Sequence, residues 1–150
     1  LYNLAILDTA PEQRYDFITE KVKSYFNVPI ALISLVDGER QWFKSSQGLD
    51  ATETSREISF CGHAINQNGV YMVNDTFEDE RFSDNPLVIG EPFIRFYAGA
   101  PIKSAEGYSI GTLCIIDTSP RILTENDQVL LREFADMVER ELNVPDETRN

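Results

Sequence analysis

The segment Ile30-Ala31-Leu32-Ile33-Ser34-Leu35-Val36 constrains the fold more than any other stretch of the chain. In an extended strand successive side chains point to opposite faces, so Ile30, Leu32 and Val36 point one way and Ala31, Ile33 and Leu35 the other. Both faces are apolar, and such a strand has to sit inside a sheet that is covered on both sides. A second run, 108–116, behaves the same way, with Ile110, Cys114 and Ile116 alternating with Leu113 and Ile115. Two doubly apolar strands belong side by side at the centre of one sheet.

The remaining strands follow from hairpin signals. Asp37-Gly38 tolerates the positive φ of a tight turn, so residues 41–45 should return antiparallel to the first strand. That segment is more polar and is expected at an edge. A third strand is expected over 70–74. A fourth over 95–102 carries Phe96, Ala98, Ala100 and Ile102 on its apolar face, and the turn 104–107 leads into the fifth. The order 2-1-5-4-3 results, antiparallel throughout most of the sheet. The polar stretch 48–57 and the acidic stretch 75–85 read as loops.

Helices bracket this sheet. Thr9-Ala10-Pro11-Glu12 has capping-box spacing, with Thr9 as N-cap and Glu12 at the third helical position. Tyr15, Ile18, Val22, Tyr25 and Phe26 then form one stripe, ended by Asn27 and Pro29. A short helix is expected over 60–65. The last helix opens at Thr124-Glu125-Asn126-Asp127 and buries Leu131, Phe134, Ala135, Val138 and Leu142. Leu130 and Met137 widen that stripe beyond what one surface helix needs. The expected fold class is α+β, a single domain over residues 1–143 followed by a polar linker over 144–150. The chain starts at Leu1, and further sequence is expected ahead of it.

Charge narrows the partners. Thirteen Lys and Arg against 25 Asp and Glu give a formal net charge of −12, which repels phosphate backbones and anionic bilayers. The scattered basic residues form no nucleic-acid patch. No apolar run reaches the roughly 18 residues that cross a membrane. Two cysteines, Cys61 and Cys114, are too few for a disulfide scaffold, and a cytoplasmic location is expected.

Taken together, several motifs resemble the GAF family of ligand-binding and signalling domains. They are Leu35-Val36-Asp37 with Arg40-Gln41-Trp42-Phe43-Lys44-Ser45, Phe60-Cys61-Gly62-His63-Ala64-Ile65, and Asp75 with Asp79-Glu80-Arg81-Phe82. Arg95-Phe96-Tyr97-Ala98-Gly99-Ala100-Pro101 follows, then Gly111-Thr112-Leu113-Cys114-Ile115-Ile116-Asp117 with Pro120-Arg121. The collection is similar to a bacterial subgroup placed ahead of GGDEF cyclase, EAL phosphodiesterase or histidine-kinase modules. The resemblance implies this same sheet order, with the N- and C-terminal helices on one face and short helices and loops on the other. It also implies an output domain C-terminal to this one.

Catalysis is not expected. A cysteine nucleophile needs a base or an electropositive neighbour, and His63 is the sole histidine. Residues two apart on a helix do not face each other, so Cys61 and His63 make a poor dyad. One histidine and two separated cysteines give no zinc-type spacing. Among GAF relatives, bilin attachment uses a cysteine beside a histidine, and here Gly62 intervenes. Methionine-sulfoxide reductases of this fold work through several cysteines. No cofactor is expected.

The resemblance instead implies a small-molecule cleft lined by Phe60, Cys61, His63, Phe82, Phe96 and Tyr97, with Asp75 and Arg81 as polar groups. Arg81 has the fork geometry to hold a carboxylate or phosphate. Against this stands a reading in which Asp75, Asp79 and Arg81 only tie a loop together and the aromatics are core. The signature of cyclic-GMP-binding members is not recognisable. A second function class is a ligand-free module that dimerises through its terminal helices, near Leu130, Phe134 and Met137.

Overall fold

Six strands and two long helices account for most of the described chain, which in this computed structural model comprises residues 12–36, 40–49, 53–55, 64, 69–91 and 93–143. The strands are β1 (Ile30–Val36), β2 (Arg40–Gln47), β3 (Glu53–Ser55), β4 (Tyr71–Val73), β5 (Phe96–Lys103) and β6 (Ser109–Asp117). The long helices are α1 (Gln13–Phe26) and α3 (Glu125–Leu142). A 3-10 turn (Thr76–Glu78) and the one-turn helix α2 (Pro86–Ile89) lie between β4 and β5. The sheet order is β3-β2-β1-β6-β5-β4, and every pairing is antiparallel.

The five strands expected from the sequence keep the order 2-1-5-4-3, and β1 is central with all seven residues buried. The sixth strand is a correction. Residues 53–55, expected in a loop, pair with β2 through Arg40↔Ser55, Gln41↔Thr54 and Trp42↔Glu53. β2 is therefore covered along part of its outer edge, and Arg40 adds an ion pair to Glu53 at 2.9 Å. The Asp37-Gly38 turn, Thr9 and the 144–150 tail lie outside the described residues.

Strand alternation divides the interior into two cores. Ala31, Ile33, Leu35, Ala98, Ala100, Leu113 and Ile115 pack under α1 and α3, meeting Tyr15, Ile18, Val22, Leu131, Ala135, Val138 and Leu142. We call this the helix face. The opposite face, called the open face because neither long helix packs on it, gathers Ile30, Leu32, Phe43, Ala64, Tyr71, Val73, Phe82, Val88, Ile94, Tyr97, Cys114 and Ile116 in a buried cluster.

Both long helices follow their periodicity, with adjustments. Thr124 accepts a hydrogen bond from the Asp127 amide while Asp127 accepts one from the Thr124 amide, a complete capping box. Asn27 closes α1 in the left-handed region at φ 52°. At its start, α1 departs from expectation: it begins at Gln13, and Glu12 stands at the N-cap position instead of the third helical one. Tyr25, read as core, is 59% exposed, and Thr19 takes a buried place on that helix. Leu130, Phe134 and Met137 are partly buried and pack against the helix-face core.

Glu12 leaves its capping role because Lys44 draws its carboxylate. The β1–β2 ladder skips a residue between Ile33↔Ser45 and Ser34↔Phe43, and the extra residue of the bulge is Lys44. Its side chain is fully buried, and its ammonium lies 2.7 Å from Glu12 and 5.5 Å above the Tyr15 ring. Arg14 bonds Glu12 at 2.8 Å and reaches Glu141 of α3 at 3.6 Å. Burial opposes ionisation of Glu12, but Lys44 and Arg14 outweigh it and hold the carboxyl below its ordinary 4.5. A depressed native pKa gives stability that is complete above the unfolded value and is lost as pH falls through the native one. Glu12→Gln should therefore melt below the wild type at pH 7, and the gap should be smaller at pH 3, below the ordinary carboxylate value. A gap of the same size at both pH values would contradict this assignment.

Candidate functional site

The core on the face away from the long helices gathers the chemistry that the sequence singled out. Its floor is the sheet itself. Tyr97, 2% exposed, lies along β5 with its hydroxyl 3.3 Å from that of Thr112 on β6. Gly99 makes this possible, since a Cβ there would stand 2.5 Å from the Tyr97 hydroxyl oxygen. Thr112 is the cross-strand neighbour of Ser34, and Ser34 donates a hydrogen bond to Gln41 at 2.8 Å. Gln41, Ser34, Thr112 and Tyr97 thus form a polar row across β2, β1, β6 and β5, all of it buried. Buried polar groups of this kind are retained when they are mutually satisfied.

The rim on the β4 side is built by the chain between β4 and β5. Tyr71 of β4 pairs with Gly99, and its ring meets that of Tyr97 edge-on at 6.4 Å. Asp75 caps the 3-10 turn by accepting from the Phe77 amide at 3.1 Å. Thr76 donates to the Ile94 carbonyl at 2.7 Å, and Asn85 caps α2 at the Leu87 amide. Arg95 lies 3.6 Å from the Phe77 ring centroid and donates to the Val88 carbonyl. These bonds hold Phe82, 1% exposed, down on the open face of the sheet.

Arg81 sits above this aromatic group, with its guanidinium 5.3 Å from the Tyr71 centroid and 5.3 Å from that of Phe82. It is bound at both ends of one carboxylate, Nε to Asp79 Oδ1 at 3.0 Å and Nη2 to Oδ2 at 2.6 Å. The hydrogen bonds that Asp79 accepts keep the guanidinium charged still more firmly than usual. Burial pushes the Tyr71 hydroxyl up from its ordinary value, against the pull of the Arg81 charge. Tyr71 therefore stays protonated at neutral pH and is a hydrogen-bond donor.

The structure sorts the expected site residues. Tyr97, Phe82 and Arg81 come together on the open face, and Asp75 lies at the rim as a cap. Phe96 does not join them: it is fully buried on the helix face, with Arg121 5.9 Å from its ring centroid. Phe96 and Tyr97 are successive residues of one strand, so they cannot share a face. Phe60, Cys61 and His63 lie outside the described residues, though their neighbour Ala64 is fully buried within the open-face cluster. Sequence reasoning missed Tyr71, Thr112, Ser34 and Gln41. Period-two alternation could have placed Ser34 with Leu32 on one face. Nothing local reveals that Tyr71 stands beside Gly99.

Comparison with known proteins agrees with this architecture. The model of the GAF domain family matches residues 10–142. A cyclic di-GMP phosphodiesterase of Pseudomonas aeruginosa is 49% identical over 136 residues, which are 90% of this chain and 23% of that protein. The chain thus spans under a quarter of the length of this relative. Among solved structures, the GAF domain of an Acinetobacter phosphoenolpyruvate-protein phosphotransferase superposes with a TM-score of 0.71 at 16% identity, covering 94% of this chain and 89% of that one. The free methionine-R-sulfoxide reductase of Neisseria meningitidis gives 0.69 at 20% identity, covering 91% and 81%. At such identities the structural likenesses speak for the fold alone. With the family match running from residue 10 to residue 142 over a sheet of this order and these two cores, the chain belongs to the GAF domain family.

Proposed function

We propose that this is a non-catalytic regulatory domain of a bacterial signal-transduction protein, which binds a small molecule on the open face of its sheet and acts on an output domain C-terminal to it. The observation that carries the reading is the second core. A mostly apolar surface of Tyr71, Phe82, Tyr97 and Cys114, crossed by the polar row of Gln41, Ser34 and Thr112, has the composition of a ligand site. The 49% identity to part of a cyclic di-GMP phosphodiesterase supports an output domain that makes or breaks cyclic di-GMP. No helix among the described residues is long and apolar enough to cross a membrane, in keeping with a cytoplasmic sensor. Phe60, Cys61 and His63 are retained as candidate wall residues from the family motif.

The direct test is thermal unfolding of the isolated domain against a panel of metabolites. A ligand at 100 times its Kd raises stability by about 2.7 kcal/mol, a shift of several degrees for a domain of this size. Silence across the whole panel would count against the reading.

A groove on the helix side favours one alternative, a ligand-free dimerisation and relay module. It has a volume of about 570 Å³ and lies between α1 and α3, lined by Arg14, Phe17, Ile18, Met137 and Arg140 among others. Phe17 is 47% exposed there. Light scattering separates the readings, since a relay of this kind requires a dimer at micromolar concentration and a monomer rules it out.

A further inference from the structure

The Tyr71 hydroxyl is the buried polar group on the open face that the fold leaves unexplained. Tyr71 is 7% exposed, and among the described residues none completes a hydrogen bond to its hydroxyl. The Arg81 guanidinium is its polar neighbour and leans on it as a weak donor, but the approach falls short of hydrogen-bond geometry, and the hydroxyl proton has no acceptor among the described residues. An unsatisfied buried hydroxyl destabilises the fold, and phenylalanine at this place would avoid that cost while keeping the ring. The two bonds that Arg81 makes to Asp79 use Nε and Nη2, so Nη1 has no hydrogen-bond partner among the described residues. A donor hydroxyl and a guanidinium nitrogen left over from the Asp79 pair thus stand close together, with the guanidinium 5.3 Å from the Tyr71 and Phe82 ring centroids.

Resting on the reading of this face as a ligand site, we propose that Tyr71 and Arg81 anchor an oxyanion, a carboxylate or phosphate group carried by the small molecule that the domain senses. Tyr71 Oη donates one hydrogen bond to the anion and Arg81 Nη1 donates a second. The apolar remainder of the ligand lies against Tyr97 and Phe82. Asp79 sets the selectivity. Its negative charge repels an anion that cannot reach Nη1 and Tyr71 together, and it holds the guanidinium in place before the ligand arrives. Preorganisation of this kind favours affinity because less is left to order on binding.

The test is calorimetric titration of the domain with matched probes. Succinate and glutamate supply the carboxylate, inorganic phosphate and glycerol 3-phosphate supply the phosphate, and succinamide and glutamine are the neutral counterparts. One oxyanion class should bind while its neutral counterpart does not, which also tells carboxylate from phosphate. Tyr71→Phe should weaken that binding about tenfold or more, as expected for a lost hydrogen bond to a charged group. Without probe, Tyr71→Phe should melt at or above the wild type, because it removes an unpaired buried hydroxyl. A purely structural tyrosine would give the reverse pattern, a lower melting temperature and unchanged binding. Binding of neutral metabolites alone, or oxyanion binding within twofold of wild type in Tyr71→Phe, would overturn this inference and spare the ligand-site reading. If no probe and no member of the wider metabolite panel binds at millimolar concentration, both fall.

Discussion

Gly111→Ala should cost the domain more than about 3 kcal/mol and in practice abolish folding, because the two central strands leave no room for a methyl group. Gly111 lies on β6 opposite Leu35 of β1. A Cβ there would overlap the Ser34 carbonyl oxygen and stand 3.0 Å from Leu35 Cα. Both obstacles are held by the ladder, so the strain can be relieved only by separating the strands that carry both cores. Gly99→Ala is the informative control. Its obstacle is the tip of the Tyr97 side chain at 2.5 Å, which can swing away from Thr112, so the variant should fold with a smaller loss. Urea unfolding of the two variants checks the contrast. Gly111→Ala unfolding at the wild-type midpoint would refute the central pairing.

Phe82→Ala is expected to have the next largest effect, a loss of about 3–4 kcal/mol, in the range measured for buried phenylalanines. Phe82 is 1% exposed and packs in the open-face core, so its removal leaves a cavity beneath the chain that joins β4 and β5. Arg81→Gln, one residue away, should cost under about 1 kcal/mol. Its pair with Asp79 is half exposed, and surface ion pairs contribute little. Denaturant midpoints of the two variants decide whether the open face is a true second core. A Phe82→Ala variant within about 1 kcal/mol of wild type would mean that it is not.

These effects also mark what could be read from sequence. Double-faced apolarity placed β1 and β6 at the centre, and turn chemistry placed β2 and β5 beside them, so the five-strand order follows from burial and hairpins alone. β3 escaped because Glu53, Thr54 and Ser55 carry no apolar alternation. They are a strand only because β2 offers an unpaired edge. The Lys44 bulge escaped for a related reason. A register skip is a property of two strands together, and Glu12 is drawn from its helical position by a residue 32 places away in the chain. The site was legible in part. Tyr97, Phe82 and Arg81 were found by family resemblance, yet the same motif put Phe96 beside Tyr97 against the alternation of a strand, and the alternation prevailed. Tyr71 carries no local signal, since its burial depends on the β4–β5 register that sets it opposite Gly99.

The small-molecule face can be tested most directly by following backbone amide resonances of the domain during titration with whichever metabolite raises its melting temperature. Shifts are expected at Tyr71, Val73, Phe82, Tyr97 and Thr112, with α1 and α3 little changed. Shifts confined to the groove between α1 and α3, around Phe17 and Met137, with the open face silent, would contradict the ligand-site reading.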